Sequence, residues 1–212
     1  MREFKRLRTL PDRSEIEPGE LEDYDLLVAR TQTRYSGYDM PRAYFGAIAN
    51  APVLAGALVR MGRLVREGQV RGAYSDAERE LVDLVLSKDF GYNAILTVHA
   101  PDALAVGVRP EAMRAIRDGR EEELTPDEAQ VAAYARAVVA GELTDRQHAA
   151  MVDRLGDRGA LEFTIFIGFL LMTFRLWQAM GVPDPTEEEM GRLIDDLLEG
   201  KVELPAADAR IG

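Results

Sequence analysis

At four legible helix starts along this chain a serine or threonine is followed, three residues on, by a glutamate or glutamine. The pairs are Ser75 with Glu78, Thr125 with Glu128, Thr144 with Gln147, and Thr186 with Glu189. Each is a capping box: the hydroxyl accepts from an orphan backbone N–H of the first helical turn, and the longer side chain reaches back to the cap. Pro126 occupies the first helical position after Thr125, where its missing N–H costs nothing. Helix stops are written as plainly, in Gly119, Gly141, Gly181 and Gly200. Between these marks apolar residues recur at three and four, as in Val53, Leu54, Leu58, Met61 and Leu64, and again from Leu81, Leu84 and Val85. No run alternates like a strand, and no Asn-Gly or Asp-Gly joins two strand-like runs. The expected class is all-α, with about eight or nine helices.

A chain of 212 residues with 47% apolar content supports one packed domain with an arm. The charged, proline-bearing start, "TLPDRSEIEPGELEDYD", predicts an N-terminal arm over residues 1–40 with at most a short helix. A single helical domain is expected over 41–200, and an extended or frayed tail over 201–212. The segment 161–180 is the most apolar, but Glu162, Arg175 and Gln178 interrupt it, so it reads as a buried helix and not a membrane span. The basic N-terminus is followed by no apolar stretch of the kind a signal peptide has, which predicts a cytoplasmic location.

Composition removes several chemistries. There is no cysteine, so disulfides, thiolate catalysis and thiolate metal sites are excluded. A net charge of −11 argues against nonspecific nucleic-acid binding. With two histidines a His-rich metal site is excluded, although a carboxylate-assisted one is not.

One of those histidines, His99, sits in "YNAILTVHAPDALAVG". At 100° per residue, Tyr92, Ile95, Leu96, His99, Ala103 and Val106 share one face. Pro101 does not forbid this face, since a kink, or a break after His99, would accommodate it. Two readings follow: a buried histidine satisfied by one hydrogen bond, or a general acid or base in a pocket. The second histidine, His148, falls in the first turn of a charged helix and reads as a surface residue.

The segment "SDAERELVDLVLSKDFGYNAILTVHAPDALAVGVRPEAMRAIRDG" resembles the core of the carboxymuconolactone decarboxylase family, which includes the alkylhydroperoxidase D-like proteins. The matching features are Arg79-Glu80 opening one helix, His99 closing the next, and the "AVGVRPEAMRAIRDG" that follows. The resemblance extends more loosely over most of the chain and implies that family's helical fold with an N-terminal arm. In the redox branch the pattern is a Glu, eleven residues, then Cys-x2-Cys-x3-His. Glu80 and His99 match it, while Tyr92 and Ile95 stand at the cysteine positions. Peroxide reduction needs both thiols, so that chemistry is out. In the decarboxylase branch a Glu often stands where Ile95 is, with an aromatic where Leu96 is, and neither is kept here.

What the resemblance implies is a site of Glu80, Tyr92 and His99 between two helices. The expected function is a cofactor-free acid–base enzyme, a decarboxylase-type lyase or an isomerase. It would act on a small carboxylated or enolisable molecule through an enol(ate)-like intermediate, with His99 moving the proton. Arg79 is the candidate anchor for a substrate anion, against the alternative of a solvated helix charge. Ile95 and Leu96 complete the expected substrate contacts. Tyr38, with Tyr35, Tyr44, Arg34 and Arg42 around it, reads as a pocket rim or as ordinary packing and subunit contact. No cofactor and no metal are expected, a metal held by Glu80 and His99 being the weaker alternative. The expected partners are a small-molecule substrate and further copies of the chain, as a trimer or hexamer. The competing reading is a non-catalytic binder or oligomeric interaction protein on the same fold.

Overall fold

All four boxes close. The Ser75, Thr125, Thr144 and Thr186 hydroxyls accept from the backbone N–H three residues on, and the Glu or Gln there accepts from the cap's own N–H. The glycines do their part at the other end: Gly91, Gly119 and Gly141 cap three helices in the left-handed region that only glycine enters at no steric cost.

The computed structural model describes residues 10–31, 40–67 and 74–205, without the side chains of 40–42 and 67. Its helices are α1 (Leu21–Thr31), α2 (Met40–Ile48), α3 (Pro52–Glu67), α4 (Asp76–Phe90), α5 (Asn93–Ala105), α6 (Pro110–Asp118), α7 (Pro126–Ala140), α8 (Asp145–Met180) and α9 (Glu187–Leu198). Short 3-10 turns precede α1 and α7. No strand occurs among the described residues, so the class is all-α.

The chain falls into two compact units, residues 1–64 with 173–183, and residues 65–172 with 184–212. In the first, the arm expected over residues 1–40 contains α1, and α1 packs on α2 across residue 40. Tyr24 and Leu27 are buried, and the Tyr24 hydroxyl donates to the Pro11 carbonyl at 2.7 Å. Tyr44 stacks on Trp177 with ring centroids 5.0 Å apart, so this tyrosine is core. Tyr35 and Tyr38 lie outside the described residues. Gly56 lets Asp23 approach closely, where that carboxylate pairs with Arg60 at 2.6 Å.

The second unit is built around α4. Residues 79 to 87 are all buried, because α5, α6 and α7 pack around this helix. An aromatic cluster of Tyr74, Tyr134, Phe163 and Phe166 fills the same unit. α5 runs through Pro101 to Ala105, so of the two accommodations expected for that proline, a kink or a break after His99, the break does not occur. Its N-terminus has no side-chain cap from Tyr92; instead Asp184 accepts from the Ala94 N–H at 2.6 Å, and Asn93 donates to the Pro185 carbonyl.

The most apolar helix adds one feature to the expectation and departs from it in another. α8 is not straight: Gly156 has φ 73° and ψ 166°, a non-helical conformation inside it. It is also buried on one face only, since Leu161, Ile165 and Met172 are exposed. By length and composition alone this helix is long and apolar enough to cross a membrane.

Candidate functional site

A helix enclosed on every side must satisfy its polar groups from its neighbours, since a buried charge without a partner is expensive. On α4 those groups are Arg79, Glu80, Asp83 and Ser87. Ser87 satisfies itself by donating to the Asp83 carbonyl one turn back, at 2.6 Å. Glu80 and Asp83 turn to α5 and to the end of α3, while Arg79 pairs with Glu80 beside it on α4.

Glu80 is the hub. Its Oε2 lies 2.9 Å from His99 Nδ1, and its Oε1 lies 2.9 Å from Arg79 Nη2 and 3.7 Å from Arg66 Nη1. The two residues that the sequence pairs at a separation of nineteen are therefore in direct contact. Asp83, one turn on, has Oδ2 at 3.7 Å from Arg66 Nη1 and Oδ1 at 3.7 Å from His99 Nε2. Neither Asp83 oxygen accepts a hydrogen bond among the described residues. Asp102, one turn after His99, adds a half-buried carboxylate that feels His99, Glu80 and both arginines. Sequence reasoning missed Asp83, Arg66 and Asp102. The i, i+3 spacing of Glu80 with Asp83 and of His99 with Asp102 was the available signal.

Exposure orders the cluster. The Glu80 and Asp83 side chains are 1% and 0% exposed, while Arg66 and His99 keep 13% and 15%. Water and solutes therefore meet the imidazole and Arg66 first. Arg79, at 3% exposed, is not the solvated helix charge of the alternative reading; its guanidinium is committed to Glu80, with Asp76 at 3.7 Å. A solute reaching this site meets Arg66 before Arg79.

The protonation pattern follows from these contacts. Burial alone would raise the Glu80 pKa, but the His99 charge and hydrogen bond, with Arg79 and Arg66, hold it down at about 2. Burial pushes the Asp83 carboxyl up, and the Glu80 charge adds to this against the pull of His99 and Arg66. For His99, burial works against the charged form, yet Asp83 and Glu80 together raise its pKa above the ordinary 6.5. Burial raises Asp102 as well.

These states fix the tautomer. An ionised carboxylate only accepts, so His99 Nδ1 carries the hydrogen and donates it to Glu80. His99 Nε2 then faces Asp83 Oδ1, and both atoms are acceptors unless a cation lies between them. A proton on Nε2 or on Asp83 meets that requirement.

The remaining predicted residues lie nearby in sequence but play other visible parts. Tyr92 stands at the N-terminal boundary of α5, half-buried, with its ring 6.4 Å from that of Phe90. Ile95 and Leu96 are buried in α5. His148 is exposed, as expected. A separate cleft of about 80 Å³ opens on another face of α4, lined by Leu81, Val108 and Val131 with the Glu78–Arg154 ion pair. No family model, curated protein or solved structure matches the chain.

Proposed function

We propose that the chain is an acid–base enzyme of the lyase or isomerase type, in which His99 carries a proton to or from a small carboxylated or enolisable molecule. The observation that carries this reading is the 2.9 Å Glu80–His99 contact beneath a partly exposed imidazole. Glu80 orients the ring and stabilises the imidazolium, so that Nε2 is the atom left for proton transfer. With Asp83 and Glu80 raising its pKa against burial, His99 holds its proton more readily than a free imidazole and serves first as the acid, protonating an enolate carbon or oxygen. Arg66, beside it, carries the charge that would attract a substrate carboxylate and steady a developing enolate. The helical, carboxymuconolactone decarboxylase-like fold suggested by the sequence agrees with the all-α class and belongs to the same proposal, as do assembly into a trimer or hexamer and a cytoplasmic location.

The test works whichever product forms. A panel of lactones and of β-keto and vinylogous acids is incubated with the protein in deuterated water. Deuterium entry at the enolisable carbon and release of CO₂ are followed by NMR. His99→Gln keeps a hydrogen-bond donor toward Glu80 and should abolish turnover while leaving the melting temperature nearly unchanged. Full activity of that variant on a substrate the native protein turns over would overturn the assignment.

A second reading is favoured by the near balance of charge in the cluster: a structural ion network that ties α4 to α5 in a non-catalytic binder. On that reading no member of the panel is turned over, and His99→Leu leaves ligand binding and stability intact.

A further inference from the structure

The geometry points to a second occupant for the atoms between Asp83 and His99: we infer that they form a binding site for a divalent transition-metal ion of the zinc class. This inference goes beyond the proton-transfer reading and does not rest on it, because an ion can be measured with the protein alone.

The first support is the orphaned carboxylate. Asp83 is wholly buried, and neither of its oxygens accepts a hydrogen bond among the described residues. Buried carboxylates are rarely left so, and one that is left so calls for a cation. Arg66 approaches Oδ2 only to 3.7 Å, and Oδ1 is turned toward His99 Nε2.

The second support is distance. Asp83 Oδ1 and His99 Nε2 are 3.7 Å apart, too far for a hydrogen bond. A tetrahedral ion with bonds of roughly 2.0–2.2 Å separates two of its ligand atoms by about 3.4 Å, so a small relaxation seats it between them. One ligand atom each from Glu80, Asp83 and His99 lies within 4.8 Å of the others.

The third support is the imidazole's outer partner. Histidines that bind metal through one nitrogen usually donate the other N–H to a carboxylate, which fixes the tautomer and strengthens the ligand. His99 donates Nδ1–H to Glu80 and so presents the Nε2 lone pair. Asp102 follows on the next turn of α5 and offers a further oxygen to the same region. Helical i, i+3 donor pairs on two facing helices are an established way to build such sites.

Charge sets the kind of ion and its strength. Arg66 and Arg79 offset two of the three carboxylates, Glu80, Asp83 and Asp102, so with a neutral imidazole the cluster carries one net negative charge. A divalent ion overshoots this, which places the site among the moderate and exchangeable ones. One imidazole nitrogen with carboxylate oxygens and no thiolate suits Zn²⁺, Co²⁺ or Mn²⁺ better than Cu⁺ or Ca²⁺. Ion and proton compete for the same lone pair, so the ion-bound protein is inert as an acid at Nε2.

The test uses the full chain, stripped with a chelator, and ZnCl₂ as the only ligand. Calorimetric titration should give one ion per chain. His99→Gln and Asp83→Asn should each weaken it by about tenfold or more, and His148→Gln should leave it unchanged. A long-range ¹H–¹⁵N spectrum of the native protein should show zinc moving the Nε2 resonance of His99 while Nδ1 stays protonated. Absence of binding, binding retained in His99→Gln, or a zinc shift confined to His148 would each overturn the proposal. Should a variant fail to fold, the native spectrum decides alone.

Discussion

At the scale of single residues, Glu80 carries the most consequence. Its carboxylate is held at about 2 against an ordinary 4.5. A depressed carboxylate contributes stability that is fully present above 4.5 and is lost as pH falls toward 2. His99 works in the opposite sense: its pKa is raised, so its contribution is complete below 6.5 and fades as pH rises through the folded value. Asp83 and Asp102 have raised values too, and being carboxylates they cost stability as pH climbs above 3.8. The cluster is therefore most favourable on the weakly acid side of neutrality. Glu80→Gln should lower unfolding stability near neutral pH by about 3–5 kcal/mol, since it leaves the buried Arg79 guanidinium without its carboxylate. Urea melts repeated down to about pH 3 should show a shallower acid loss in this variant than in the native protein. Glu80 and His99 were legible in the sequence because each sits at a recognisable offset from the other. Asp83 was not singled out, since a carboxylate one turn along a charged helix looks like a solvated one until the helix is seen to be enclosed. Arg79 misled for the same reason: nothing local to "DAERE" says which of its charges faces inward.

At the scale of elements, local chemistry was readable and long-range chemistry was not. Capping boxes and left-handed glycines act within one turn, so four helix starts and most stops could be placed from sequence. The start of α5 could not, because its cap is Asp184, ninety residues away. For Pro101 either a kink in α5 or a break after His99 was expected, and the break does not occur. The helix persists because Pro101 is buried within the core around it, and packing there outweighs the loss of one backbone hydrogen bond. Gly156 went unread because no proline and no capping box stands beside it in "VDRLGDRGALE". Its φ of 73° with ψ of 166° belongs to a region that other residues enter only under strain. Nothing lies within 4 Å of the position where a Cβ would stand, so any cost of substitution is conformational and not steric. Gly156→Ala should destabilise the protein by about 1–3 kcal/mol, with no cavity or clash to blame. Chemical denaturation with unchanged m-value would confirm this, and a neutral effect would show that α8 straightens.

At the scale of the whole molecule, the exposed face of α8 bears on assembly. Leu161, Ile165 and Met172 are spaced by four and seven, which places them along one stripe, with Gly168 between them. A stripe of this kind suits helix-to-helix contact between copies of the chain. Light scattering should give a mass that is a multiple of 23.5 kDa, and Ile165→Glu should reduce it; a single-chain mass for the native protein at micromolar concentration would contradict the expected assembly. The stripe was hidden in the sequence because a long apolar run shows no periodicity of its own, and only packing reveals which of its residues the core leaves out. The remote cap on α5 has its own result for how the molecule is made. A ribosome releases Glu80 and His99 long before it releases Asp184. The growing chain thus holds both partners of the site while the helix that carries the histidine still lacks its anchor. The start of the helix that carries His99 is thus capped only once residue 184 has been made, and a chain stopped before it would carry Glu80 and His99 without that cap.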